Sequence, residues 1–163
     1  MLKKIQIENF TSIEKAEINL SPLTVFIGPN NSGKTNLFRA FAFFSNLVSN
    51  GKKNVEPFFS EINKNTTVEE KIKKERLYHN FDPDKKINFI CVFEQNGQEL
   101  IYAESAEGER KITVDGINKN DPYKKYDGTI EDKFNQFVKN LRYYSLNPSN
   151  ISGHNSIILN PEI

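Results

Sequence analysis

This chain of 163 residues has no tryptophan, one cysteine, one methionine and two histidines. A single thiol closes no internal disulfide, and Cys91, set in an apolar run, reads as a buried small hydrophobe. His79 and His154 stand without an acid or cysteine at ligand spacing, which makes them surface or structural histidines rather than metal ligands. No Ser–His–Asp or paired-carboxylate arrangement stands out. Neither sign of charge dominates: 22 Lys and Arg against 21 Asp and Glu leave +1, so no basic footprint announces nucleic acid. No apolar run approaches the roughly 20 residues of a membrane span. The opening M-L-K-K-I-Q-I-E is too broken by charge to resemble a signal peptide. A cytoplasmic chain with no membrane partner is the expectation. No repeat, low-complexity tract or linker marks a second domain, and the length suits one domain or part of a larger one. Thirteen phenylalanines supply the core.

What is present centres on Val25 to Phe41, V-F-I-G-P-N-N-S-G-K-T-N-L-F-R-A-F. Gly28 to Thr35 spells G-x-x-x-x-G-K-T, the phosphate-binding loop pattern. Leu23, Val25 and Ile27 alternate with Thr24 and Phe26, predicting a strand before it. Leu37, Phe38, Phe41, Phe44 and Val48 recur at helical spacing after it. Gly28 and Gly33 allow backbone angles closed to other residues and a close approach of phosphate. Main-chain N–H groups from Asn30 through Asn31, Ser32 and Gly33 to Thr35 would line one anion-binding concavity. The positive end of the following helix adds to it. Lys34 would reach the β- and γ-phosphates, and the Thr35 hydroxyl would ligate Mg²⁺. Pro29 and Asn36 complete the candidate site. Nucleotide binding, ATP or GTP, is the result.

Around this stretch, Ile5 and Ile7 predict an opening strand, Asn9 to Ser12 a turn, and Ala16, Ile18 and Leu20 a second strand. The helix over 34–49 is apolar nearly all round, with Leu37, Phe41, Phe44 and Val48 as one face, Ala40, Phe43 and Leu47 widening it, and Phe38 and Ala42 to the other side, so protein should cover it on more than one side. A loop over 51–65 leads to a charged helix over 68–78, whose Lys71, Lys73, Lys74 and Arg76 read as a solvated face. Ile87 to Glu94, Glu99 to Ser105 and Arg110 to Val114 form a β-meander through Asn96-Gly97 and Glu107-Gly108 turns, closed by Asp115-Gly116. Thr129 caps a helix striped by Ile130, Phe134, Phe137, Val138 and Leu141. A last strand is expected over 142–146.

These motifs in this order resemble the N-terminal lobe of an ABC-type ATPase head of the RecF, SMC and OLD-nuclease group, often labelled AAA family ATPases. The resemblance is carried by I-x-I-x-N-F at Ile5 to Phe10, by G-P-N-N-S-G-K-T and by the L-F-R-A-F helix, and more weakly by R-Y-Y-S-L-N-P from Arg142. It implies a mixed α/β (α+β) P-loop NTPase fold with an antiparallel meander, ATP and Mg²⁺ as cofactors, a homodimer of heads, and DNA as a partner in DNA repair, maintenance or anti-phage defence. It also places Thr11 and Ser12 beside the nucleotide base or ribose. Residues 1–163 would form one partial head, divided at about 1–50, 51–127 and 128–163.

The group's Walker B strand and Ser-Gly signature have no convincing counterpart. Ile90 to Glu94 lies in a hairpin and lacks the preceding Asp. Ile157 to Glu162 offers Asn160 where the metal needs a carboxylate, and Ser152-Gly153 is a bare dipeptide. Three readings follow: the N-terminal part of a longer ATPase, a small nucleotide-binding module or half of a split ATPase, and another P-loop enzyme such as a small kinase. The strand pair and meander speak against the last. Asn118-Lys119-Asn120-Asp121 has the letters of the guanine-reading N-K-x-D pattern, though in a polar turn.

Overall fold

The computed structural model describes residues 1–50, 76–122 and 128–141. A six-stranded antiparallel sheet, in the order β2-β1-β3-β4-β5-β6, carries two helices packed on its buried face. The strands are β1 (Leu2–Phe10), β2 (Ile13–Asn19), β3 (Asn88–Gln95), β4 (Gln98–Ser105), β5 (Arg110–Val114) and β6 (Ile117–Asn118). The helices are α1 (Lys34–Asn50) and α2 (Thr129–Lys139), and a single 3₁₀ turn spans His79–Phe81.

Period-two alternation puts one row of apolar side chains inward. In register, Ile5 faces Cys91, Cys91 faces Tyr102 and Tyr102 faces Ile112, and all four are buried. The β1–β3 register shifts between Leu2 and Lys4. That one-residue bulge lets both Leu2 and Ile5 point inward despite their odd spacing. Tight turns at Asn96-Gly97 and Asp115-Gly116 take left-handed backbone at both residues, as two-residue hairpins require. The short β6 follows the second turn, where the sequence predicts loop. Its Asn118-to-Asp121 turn holds Lys119 on the Glu131 carboxylate at 2.8 and 2.9 Å, within a solvent-facing ion pair rather than at the end of an apolar strand.

Aromatic rings join the layers. Phe89 of β3 lies 5.8 Å from Phe43 and 5.3 Å from Phe44 of α1, while Tyr102 of β4 stacks 4.9 Å from Phe134 of α2. The two helices meet where Ser45 Oγ donates to the Val138 carbonyl at 2.9 Å. The buried face of α1 is Ala40, Phe43, Phe44 and Leu47, whereas Leu37, Phe41 and Val48 are half-buried. The buried centre is thus rotated within the expected apolar surface towards its Ala40, Phe43 and Leu47 side, because Phe43 is drawn between Phe10 and Phe89. The stripe of α2 falls as predicted, with Ile130, Phe134 and Val138 buried, but Thr129 is its first helical residue and Gly128 holds the cap position.

Two other expectations change. Leu23 to Ile27 forms no strand among the described residues. Its Leu23, Val25 and Ile27 side chains are 81%, 68% and 91% exposed, while Phe26 on the opposite face meets Phe38 of α1 at 5.7 Å. Sheet structure needs a hydrogen-bonding neighbour, and alternation alone does not provide one. The charged helix expected over 68–78 does not include its last residues: Leu77 is buried and Tyr78 bridges to Phe10. The remainder of that helix, the loop before it, the strand over 142–146 and His154 lie outside the described residues.

Candidate nucleotide-binding site

Residues 28–35 run directly into the first turn of α1, which begins at Lys34. That first turn holds no acidic residue, so nothing on the helix itself neutralises its positive end. Two loop residues take left-handed backbone, Asn31 at φ 66° and Gly33 at φ 89°. Asparagine tolerates this better than most residues, and glycine takes it freely. A Cβ on Gly28 would lie 2.8 Å from Ser32 Oγ, so a larger residue there would displace the Ser32 hydroxyl.

The Lys34 ammonium is folded back over the loop. Its Nζ donates to the carbonyl oxygens of Gly28 at 2.6 Å and Pro29 at 2.7 Å, and to Ser32 Oγ at 3.0 Å. Three donors thus meet three acceptors, and the charge sits at the centre of the loop where an anion would be drawn. Asn30, Asn31, Ser32 and Thr35 are exposed along the rim.

The β1–β2 turn closes one side. Asn36 Nδ2 donates to Ser12 Oγ at 2.7 Å, and Arg39 Nη1 reaches Asn36 Oδ1 at 3.5 Å. Ser12 therefore stands against the start of α1. Thr11 faces the other way, its N–H donating to the Leu77 carbonyl at 2.6 Å. The structure brings 28–36 and Ser12 together, and connects Thr11 to them through the turn.

A pairing that leaves no spacing to read in the sequence, Asn9 with His79, organises that turn. Asn9 Nδ2 donates to the Lys85 carbonyl, and Asn9 Oδ1 accepts from His79 N at 3.1 Å. His79 is a structural histidine, with Nδ1 3.2 Å from the Thr11 carbonyl oxygen. Asn9 is left-handed at φ 57°, a conformation asparagine tolerates, but its partners lie 70 and 76 residues away in sequence.

Glu94, the acid after the apolar run Ile90–Phe93, is paired with Lys3 at 3.0 Å on an exposed face of the meander. Val114-Asp115-Gly116 forms the hairpin turn, where Asp115 Oδ1 accepts from Glu99 N at 2.8 Å.

The model for the AAA ATPase domain matches residues 1–162. The chain belongs to that AAA ATPase domain family. A 40-residue segment, 24% of the chain, is 48% identical to an OLD nuclease of Thermus scotoductus and covers 8% of that protein's length. The family match bears out the AAA ATPase part of the resemblance, and the segment is similar to an OLD nuclease. A structure described under ATP-driven dimerization and DNA-stimulated activation of SMC ATPases aligns with 92% of this chain and 94% of its own at 16% identity and a TM-score of 0.40. No helix among the described residues is long and apolar enough to cross a membrane.

Proposed function

We propose that this AAA ATPase domain binds Mg·ATP through Gly28 to Asn36, as the N-terminal part of a P-loop ATPase head in the cytoplasm. The observation that carries the reading is the G-P-N-N-S-G-K-T loop opening onto the bare N-terminus of α1 with the Lys34 charge at its centre. Phosphate oxygens would replace the Gly28 and Pro29 carbonyls as partners of Lys34. The N–H groups of Asn30 to Thr35 would donate to the same anion. The residue set fits a magnesium ion: the Thr35 hydroxyl is exposed at the first turn and supplies the oxygen ligand such a site takes from protein. The metal, once bound, neutralises phosphate charge.

Residues 1–163 are read as one partial head, with segments 1–50, 51–127 and 128–163. The exposed Leu23, Val25 and Ile27 support this, because such a stripe on a segment that joins no strand among the described residues suits burial within a larger sheet. The carboxylate that activates water for hydrolysis would come from outside the described residues, since Glu94 is engaged by Lys3. Heads of this group would pair as homodimers over nucleotide, with DNA as a further partner in repair, maintenance or defence. The same engagement of Glu94 favours a second reading, a non-hydrolysing module or half of a split ATPase.

Titration with Mg·ATP and Mg·GTP, together with phosphate release, tests both. Saturable ATP binding preferred over GTP supports the nucleotide reading, and absence of binding overturns it. Turnover by the chain alone would overturn the second reading.

A further inference from the structure

Strand β2 stands at the edge of the sheet, with β1 on one side and no strand on the other among the described residues. Leu20 N donates to Lys3 O at 2.7 Å at one end of the β1–β2 ladder. From there Asn19 to Lys15 pair in unbroken register with Lys4 to Glu8. The main-chain groups of an antiparallel strand turn alternately to its two sides. Leu20, Ile18 and Ala16 therefore direct theirs to β1, and Asn19, Glu17 and Lys15 direct theirs to the open edge.

The side chains along that edge carry charge. On the outer face of the sheet Lys15 meets Glu8 at 2.9 Å and Glu17 meets Lys4 at 2.6 Å, yet the Lys15 and Glu17 side chains stay 65% and 45% exposed. Charges of this kind blunt an edge against most strands. Against a second β2 running antiparallel they select a register instead, because like charges directly opposite are unfavourable and opposite charges favourable. Only residues whose main-chain groups turn outward can exchange ladder bonds across the edge. Setting Lys15 against Lys15 or Glu17 against Glu17 brings like charges together. The one register between these two has its two-fold axis at Ala16, and there Lys15 of each copy faces Glu17 of the other. Such mutual contact of two different residues is what a two-fold interface requires. Signs then alternate across the junction, from Glu8 and Lys15 of one copy to Glu17 and Lys4 of the second. The small Ala16 side chains meet on the axis, in a pair without ladder bonds, where side chains come closest.

We propose that β2 is a self-pairing edge through which two copies of this chain join, antiparallel and centred on Ala16, into one continuous sheet. This pairing involves no nucleotide and does not depend on the nucleotide-site reading above.

Sedimentation velocity of the full chain over a concentration series, without nucleotide, should show a reversible monomer–dimer equilibrium. Lys15→Glu and Glu17→Lys each place like charges opposite one another at the junction, and each should weaken dimerisation about tenfold or more. The ion pairs lost within the chain are exposed and contribute little to folding. An equimolar mixture of the two variants restores opposite charges throughout and should form a heterodimer of near wild-type strength. A wild type that stays monomeric overturns the inference, whether the edge is open or covered by another segment of this chain. A dimer that requires Mg·ATP overturns it, as does one that both charge reversals leave unchanged, or a mixture that recovers nothing. Should a charge variant not fold, Lys15→Pro removes only an outward N–H and should give a folded monomer, and a dimer there overturns the inference as well.

Discussion

Lys34 Nζ lies 2.6 Å from the carbonyl oxygen of Gly28, six residues before it, so the loop is closed around its own ammonium. On the proposed reading, nucleotide binding would exchange these carbonyl acceptors for phosphate oxygens. The exchange favours phosphate because charge-assisted bonds between ions are stronger than those to neutral acceptors.

The Gly33 backbone is the first point at which that loop can be disturbed without removing charge. At φ 89° an alanine is strained by about 1–2 kcal/mol. Gly33→Ala should lower Mg·ATP affinity about tenfold or more and cost the folded state no more than about that same 1–2 kcal/mol. Titration alongside a melting curve checks both, and unchanged affinity would show that the loop does not need this conformation.

Phe89 is the pivot of the core, in ring contact with Phe10, Phe43 and Phe44. Phe89→Ala leaves a cavity between sheet and α1 and should destabilise by about 3–5 kcal/mol. Urea unfolding measures it. A loss below about 1 kcal/mol would mean that α1 does not pack on β3 as described.

Glu104 is buried and accepts from Tyr102 Oη at 2.5 Å and from Arg110 Nη2 at 2.9 Å, while the Arg110 guanidinium covers the Tyr102 ring at 5.5 Å. Removing the half-exposed arginine leaves a buried carboxylate with a neutral partner. Arg110→Ala should cost about 2 kcal/mol, in the range of bonds to charged groups. Glu104→Gln in the Arg110→Ala background should return part of this, because the uncompensated charge is gone. A double-mutant cycle by chemical denaturation reads the coupling.

Burial pushes the Cys91 thiol well above its ordinary value of 9.0, and burial with the Glu104 bond pushes the Tyr102 hydroxyl above 10.0. Both groups stay neutral in the folded protein where the unfolded chain ionises. Their contribution is fully present below about pH 9 and is lost as pH rises beyond it, since the unfolded state then releases protons the folded state keeps. Denaturation midpoints should fall between pH 9 and 11, and Cys91→Ala should flatten the first part of the fall. A midpoint constant to pH 11 would contradict the burial of both groups.

The inward rows of the sheet were legible because alternation is local: Ile5, Ile7, Phe89, Cys91 and Phe93 announce a half-buried meander without knowledge of their neighbours. The loop was legible because its chemistry needs particular residues at fixed spacing. The rotation of α1 was not, since a helix apolar nearly all round gives no single face, and Phe10 and Phe89 decide it from distant strands. Leu23 to Ile27 has a strand's pattern, but pairing depends on a neighbour that local sequence cannot name. Asn9 and His79 escaped because their partnership spans 70 residues and leaves no spacing to read.

The most direct measurement is calorimetric titration of Mg·ATP into the wild type and Lys34→Ala. Saturable wild-type binding, weakened by roughly ten- to a hundredfold in the variant as expected for loss of charge-assisted bonds, is the predicted result. Equal affinity in the two proteins would contradict the account, because the loop would then bind nothing through the charge it encloses.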